Sequence, residues 1–201
     1  MVTVLRGATL IDGTGAPPLH NSVVVLDGDR IAQVGTVPDF GSTLAAPGPD
    51  VVDLAGAYLI PGLIQCHEHL DVHRGLGSFS DRMKKDARYL EARAVRNMLL
   101  NLAEGVTTVR DLHAKHRTNL ILKQAQTDGL LTGCRIFTCG VPIAMTGGHA
   151  ADEVGWVADG VDEVRKAART LLAEGVDCHD VVSGRQATGP RSALARPVTS
   201  A

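Results

Sequence analysis

Apolar positions recur along this chain with two different periods, and the change falls near residue 58. Ahead of it they form short β-branched runs, Val2-Thr3-Val4-Leu5, Ser22-Val23-Val24-Val25-Leu26 and Arg30-Ile31-Ala32-Gln33-Val34, each bounded by turn residues. Runs of this kind predict strands. Asp27-Gly28-Asp29-Arg30, between the second and third, predicts a hairpin. Ala8 to Gly15 adds a strand and a turn, Ala45-Ala46-Pro47-Gly48-Pro49 a loop, and Val51-Val52-Asp53-Leu54 a last short strand. His20 falls in a predicted turn of this β module and has no chemical role in the reading.

From Pro61 onward strands alternate with helices. Asp81 to Glu104 carries Leu90, Ala94, Val95, Met98, Leu99 and Leu102 as one helical stripe, closed by Gly105. Val106-Thr107-Thr108-Val109 predicts a strand, Thr118 to Thr127 a helix, and Cys134 to Thr138 a third strand. A long loop is expected from Gly140 to Gly160, then a helix from Asp162 to Glu174 and a fourth strand over Val176 to Val182. Alternation of this kind implies parallel strands joined by crossover helices, an α/β fold.

The candidate chemistry sits where the first of these strands ends. In Leu59-Ile60-Pro61-Gly62-Leu63-Ile64-Gln65-Cys66-His67-Glu68-His69, an apolar run finishes in two imidazoles one residue apart. Positions i and i+2 of a strand share a face, so His67 and His69 present two nitrogen donors to one side, and Glu68 points away. That suits a single metal ion.

This segment resembles the first barrel strand of the amidohydrolase superfamily. Gly105-Val106-Thr107-Thr108-Val109-Arg110-Asp111 is similar to its second strand, and Thr146-Gly147-Gly148-His149 resembles the loop of its prolidase-like and imidazolonepropionase-like branch. Val161-Asp162-Glu163-Val164-Arg165 and Leu172-Ala173-Glu174-Gly175-Val176-Asp177 resemble the helix and strand entry that follow. The resemblance implies a β-sandwich module over residues 1–58 and the first half of a (β/α)8 TIM barrel over 59–183. A complete barrel takes eight units and about 250 residues; this chain supplies about the first four.

The same resemblance implies a metal-dependent hydrolase of amide, peptide-like or cyclic amide C–N bonds. It would act on a small-molecule or dipeptide-like substrate and use one or two divalent ions such as zinc. His67 and His69 would be metal ligands and His149 a substrate contact. A bridging lysine, two further histidines and a general-base aspartate complete the family's site. Asp180 stands where that lysine is expected, no lysine follows Lys166, and the general base would belong to a C-terminal part absent from this sequence. Residues 184–201 contain no acidic side chain and no apolar period, so a disordered or out-of-frame tail, and a truncated product, are expected there.

Asp111 is read as structural or as a support behind the metal ligands, Asp71 and His73 as solvated loop residues in preference to extra ligands, and His113 and His116 as surface residues. His179 has no assigned role. Two other readings use the same residues. His67-Glu68-His69-Leu70-Asp71-Val72-His73 approximates the H-x-H-x-D-H signature of metallo-β-lactamase-like hydrolases, with Val72 as an insertion. A non-catalytic remnant is the third.

Composition narrows the partners. A formal charge of −2 and 3% aromatic residues argue against nucleic acid and anionic membranes. No run approaches 18 apolar residues, and the N-terminus lacks a basic start before a long apolar stretch, so neither a membrane helix nor a signal peptide is predicted. Cys66, Cys134, Cys139 and Cys178 read as buried reduced thiols of a cytoplasmic protein. An incomplete barrel leaves strand edges bare, which predicts self-association into a homo-oligomer or aggregation.

Overall fold

The computed structural model describes residues 2–41, 48–72, 84–149, 151, 155–182 and 184. The chain divides into two compact units, Met1–Gly62 and Leu63–Ala201.

The first unit holds strands β1 (Val2–Leu10), β2 (Leu19–Asp27), β3 (Arg30–Thr36), β4 (Asp50–Asp53) and β5 (Tyr58–Leu59) in one sheet. The order is β3-β2-β1-β4, with β5 also pairing β1. The β1–β2 and β2–β3 pairs are antiparallel, whereas β4 and β5 run parallel to β1. The β2–β3 hairpin turns at Gly28, whose φ of +59° is the left-handed conformation such turns need. The two strands predicted on either side of Gly7 are one strand, because Gly7 adopts φ +86° and absorbs a register shift between Arg6 and Ala8. His20 lies in β2 rather than in a turn, with its Nδ1 3.2 Å from the Thr9 hydroxyl. Val4, Val23, Val25 and Phe40 form the core of this unit, so the described part of the predicted sandwich is one layer.

The second unit alternates strand and helix in the predicted order. It contains β6 (Leu63–Glu68), α1 (Ala87–Ala103), β7 (Val106–Asp111), α2 (Thr118–Thr127), β8 (Arg135–Thr138), β9 (Ile143–Ala144), β10 (Trp156–Val157), α3 (Val161–Ala173) and β11 (Val181–Val182). All pairings are parallel, in two three-stranded sheets ordered β6-β7-β8 and β10-β9-β11. Helix α1 begins where the Asp86 carboxylate accepts the Arg88 N–H at 2.9 Å and ends at Gly105, φ +87°. Its stripe buries Leu90, Ala94 and Met98, while Leu99 and Leu102 stay exposed. Ala94 and Met98 pack with Val109, Leu122, Cys134, Ile136 and Leu70 in one core, and Ala167 and Leu171 of α3 pack with Val141, Ile143, Ala158 and Val176 in another.

Three departures have local causes. The predicted loop 140–160 contains two short strands, since β9 accepts both β10 and β11 as neighbours. The predicted fourth strand shrinks to Val181–Val182. Ahead of it the Asp177 carboxylate takes the Thr138 N–H at 2.9 Å, and Thr138 O accepts the Asp177 N–H at 2.8 Å, so a side chain replaces a regular ladder. Cys66 is exposed and Cys178 half-buried, so only Cys134 and Cys139 are the buried thiols expected of all four; none is in a disulfide. Among the described residues no helix is long and apolar enough to cross a membrane. His73 and the tail beyond Gly184 lie outside the described residues.

Candidate functional site

His67 and His69 stand at the carboxyl end of β6, where the ladder with β7 slips by one residue. Gln65 pairs with Val109 and Glu68 with Asp111, so three steps on β6 answer two on β7. A bulge of this kind re-aims side chains at a strand end. The two rings meet edge-on, with centroids 5.0 Å apart, planes at 87° and Nε2 atoms 3.3 Å apart. With metal–nitrogen distances near those of zinc imidazole sites, a tetrahedral ion needs donors separated by about 3.3–3.4 Å. The Nε2 separation matches that spacing.

The backbone carrying His69 is held from several directions. Leu70 N–H donates to Asp111 Oδ2 at 2.9 Å, and Leu112 N–H donates to Glu68 O at 3.0 Å. The Asn97 amide donates to Leu70 O at 2.7 Å and to Val72 O at 3.0 Å. Asp71 Oδ2 accepts the Lys115 N–H at 2.8 Å. Asp111 is fully buried and also accepts from Asn119 Nδ2 at 2.9 Å, while that amide reaches Gly140 O at 3.1 Å. Asp111 therefore ties β6, β7 and α2 together behind the histidine pair, in keeping with its structural reading.

Burial governs the charge of these groups. It pushes His69 down to about 4, helped by His67 and His149, and pushes His113 down to about 3. Both imidazoles are neutral at pH 7, the form that ligates metal. Burial raises the Asp71 carboxyl to about 6 and Asp111 well above the usual range, against the hydrogen bonds that each accepts.

Two expectations are corrected here. His113 is not a surface residue: it is 6% exposed and its ring lies on that of His69, with centroids 4.0 Å apart and a tilt of 35°. Asp71 is not solvated: it is 1% exposed, and its Oδ1 has no hydrogen-bond partner among the described residues. The cause in both cases is the chain after β7, which folds back over the turn behind His69 through the Lys115 and Leu112 hydrogen bonds. His113 lies beyond the end of β7 in the run Leu112–Ala114, which is buried at every position, so strand alternation does not mark it. Asn119 went unnoticed, and no local pattern marks it. His116 is exposed, as expected.

His149 is exposed, at the end of the glycine-containing loop. A turn closes that loop by Gly148 N–H to Met145 O at 2.8 Å, with Gly147 at φ +68°, and His149 N–H donates to Gly184 O at 2.9 Å. Asp159 fixes the loop's start by accepting the Thr146 N–H at 3.0 Å and its hydroxyl. His149 lies within electrostatic reach of His69 and His113. Asp180, in the place of the expected lysine, is raised by burial and feels His67, Arg110 and His149. His179 is half-buried with both ring nitrogens unpaired among the described residues. Among those residues, no group of three or more His, Cys, Asp or Glu side chains converges as a complete metal site.

Comparison with known proteins agrees with this organisation. The chain is 26% identical to the ochratoxinase of Aspergillus niger over 199 residues, covering 87% of this chain and 40% of that protein. It is 37% identical to the imidazolonepropionase of Hyphomonas neptunium over 71 residues, 34% of this chain and 18% of that one. Among solved structures, a prolidase complexed with N-methylphosphonate-L-proline superposes with a TM-score of 0.76 at 27% identity, over 90% of this chain and 46% of that one. The chain thus spans less than half the length of each of these relatives. The amidohydrolase family model matches residues 58–196, and the chain belongs to that family.

Proposed function

We propose that this chain carries the first two metal ligands of a metal-dependent hydrolase that cleaves amide, peptide-like or cyclic amide C–N bonds in small molecules. Membership of the amidohydrolase family supports the reaction class, and ochratoxinase and prolidase relatives support a small or dipeptide-like substrate. The observation that carries the metal reading is the His67–His69 pair, with Nε2 atoms 3.3 Å apart at a strand end.

In this proposal residues 59–183 contribute the first half of a β/α barrel, with the β module of residues 1–58 ahead of it. His67 and His69 hold a divalent ion such as zinc through Nε2. When bound, such an ion polarises a scissile carbonyl and lowers the pKa of water from 15.7 to about 7. Leu70 and Asp111 keep water from the rear of the pair, Leu70 as a buried apolar side chain and Asp111 by occupying the Leu70 N–H. Neutral His69 is ready to ligate without first losing a proton. His149, on its anchored loop, contacts the substrate.

Asp180 at the lysine position favours one other reading, a chain that binds metal but turns nothing over. Zinc added to the purified, chelator-stripped chain should raise its unfolding temperature by mass action, and His67→Ala/His69→Ala should abolish that shift. Hydrolysis of N-acyl amino acids or Xaa-Pro dipeptides, lost on chelation and restored by zinc, supports the enzyme. A zinc-dependent shift without hydrolysis supports the second reading, and no shift in the unmodified chain defeats both.

A further inference from the structure

Among the described residues, His69 keeps its orientation without the usual support. A ligating imidazole is ordinarily held by a hydrogen bond from its other ring nitrogen. His69 Nδ1 is buried and has no hydrogen-bond partner among the described residues. What lies against the ring is His113, stacked at 4.0 Å with a 35° tilt. The backbone on either side of His113 is fixed, with Leu112 N–H donating to Glu68 O and Ala114 N–H to Gly140 O, both at 3.0 Å.

We propose that His113 is a positioning residue, whose stacked ring sets the angle at which His69 presents Nε2 opposite that of His67. The inference rests on the metal reading above.

A role for His113 as a third ligand conflicts with the ring geometry. Two imidazoles bound through Nε2 to one tetrahedral ion keep their centroids about 5 Å apart. His67 and His69 stand at 5.0 Å, edge-on. His69 and His113 stand at 4.0 Å with planes only 35° apart, which is a stacked pair. An aromatic face at that distance restricts rotation of its neighbour about χ1 and χ2, the two torsions that a fixed backbone leaves open. His113 is also buried, so its own ring is held by what surrounds it.

Two substitutions in the full chain separate a stacking role from a nitrogen role. His113→Phe keeps a planar ring without nitrogen, and His113→Leu keeps apolar bulk without a ring. Zinc affinity is read by competition with a chromophoric chelator, alongside the circular dichroism of the metal-free proteins. His113→Phe should bind within about threefold of the parent, and His113→Leu should bind at least about tenfold more weakly, the loss typical of a missing ligand-orienting partner. A Leu variant that binds as tightly as the parent overturns the inference, as does a Phe variant that loses about tenfold. If His113→Leu does not fold, the Phe variant decides alone: retained affinity supports stacking and lost affinity overturns it. A parent chain that fails to bind zinc defeats the metal reading before any variant is compared, so the two failures are distinct.

Discussion

Three ionisable side chains crowd the turn behind His69, and burial sets the protonation of each. Burial lowers His113 from its usual 6.5 to about 3, whereas an unfolded chain would take up that proton below about 6.5. Between those limits the unfolded state binds more protons at this site, so acid destabilises the fold through His113, and the contribution is flat at higher pH. His69, lowered to about 4, acts in the same direction. Asp71 is raised to about 6 and acts oppositely: its contribution is full below the usual carboxylate value and is lost as pH rises through about 6. Single-site comparison isolates the histidine. Relative to the parent, metal-free His113→Phe should gain on the order of 1–2 kcal/mol of unfolding free energy as pH falls from 7 to 5. Urea titrations at the two pH values measure it, and an unchanged difference would mean that His113 is already charged in the fold.

Among the elements, β8, α2 and the approach to β11 meet at Asp177. Its Oδ2 accepts the Thr138 N–H at 2.9 Å and its Oδ1 the Lys123 ammonium at 2.7 Å, while Lys123 also reaches Gly175 O at 3.2 Å. One carboxylate therefore replaces a stretch of β-ladder and pins a helix. Asp177→Ala leaves the Thr138 N–H without its acceptor and the Lys123 ammonium with Gly175 O alone, and should cost about 1–3 kcal/mol. Lys123→Met removes the partly exposed ion pair and the contact with Gly175 O but leaves the Thr138 N–H bonded, and should cost less, about 0–1 kcal/mol. Equal losses in chemical denaturation would place the energy in the ion pair rather than at Thr138. Arg117 and Glu174 add a second link between α2 and the end of α3.

At the scale of the whole molecule, the second unit exposes apolar side chains on its strands. Ile64 of β6 is 65% exposed and Val181 of β11 61%, and Phe137 of β8 is also exposed. Neither three-stranded sheet closes on itself, so each keeps two edge strands among the described residues, with β8 capped at Thr138 by Asp177. Bare edges and an apolar strand face favour association. Light scattering after size exclusion should show the chain larger than its 21.1 kDa and growing with concentration, and Ile64→Lys should reduce that size. A monomer at all concentrations would mean that these surfaces are covered within the chain.

The sequence by itself determined the alternation of strand and helix after Pro61 and the helix ends at Gly105 and Gly175. These follow from periods of two and 3.6 and from glycine's access to positive φ, which are properties of a few neighbouring residues. The bulge between Gln65 and Glu68, the burial of Asp71 and His113, and the loss of most of the predicted fourth strand to Asp177 were decided only by the tertiary structure. Each depends on partners 39 or more residues away, such as Lys115 for Asp71 and Thr138 for Asp177. Whether a polar side chain is solvated depends on what folds over it, and for the turn behind His69 that cover comes from the segment after β7.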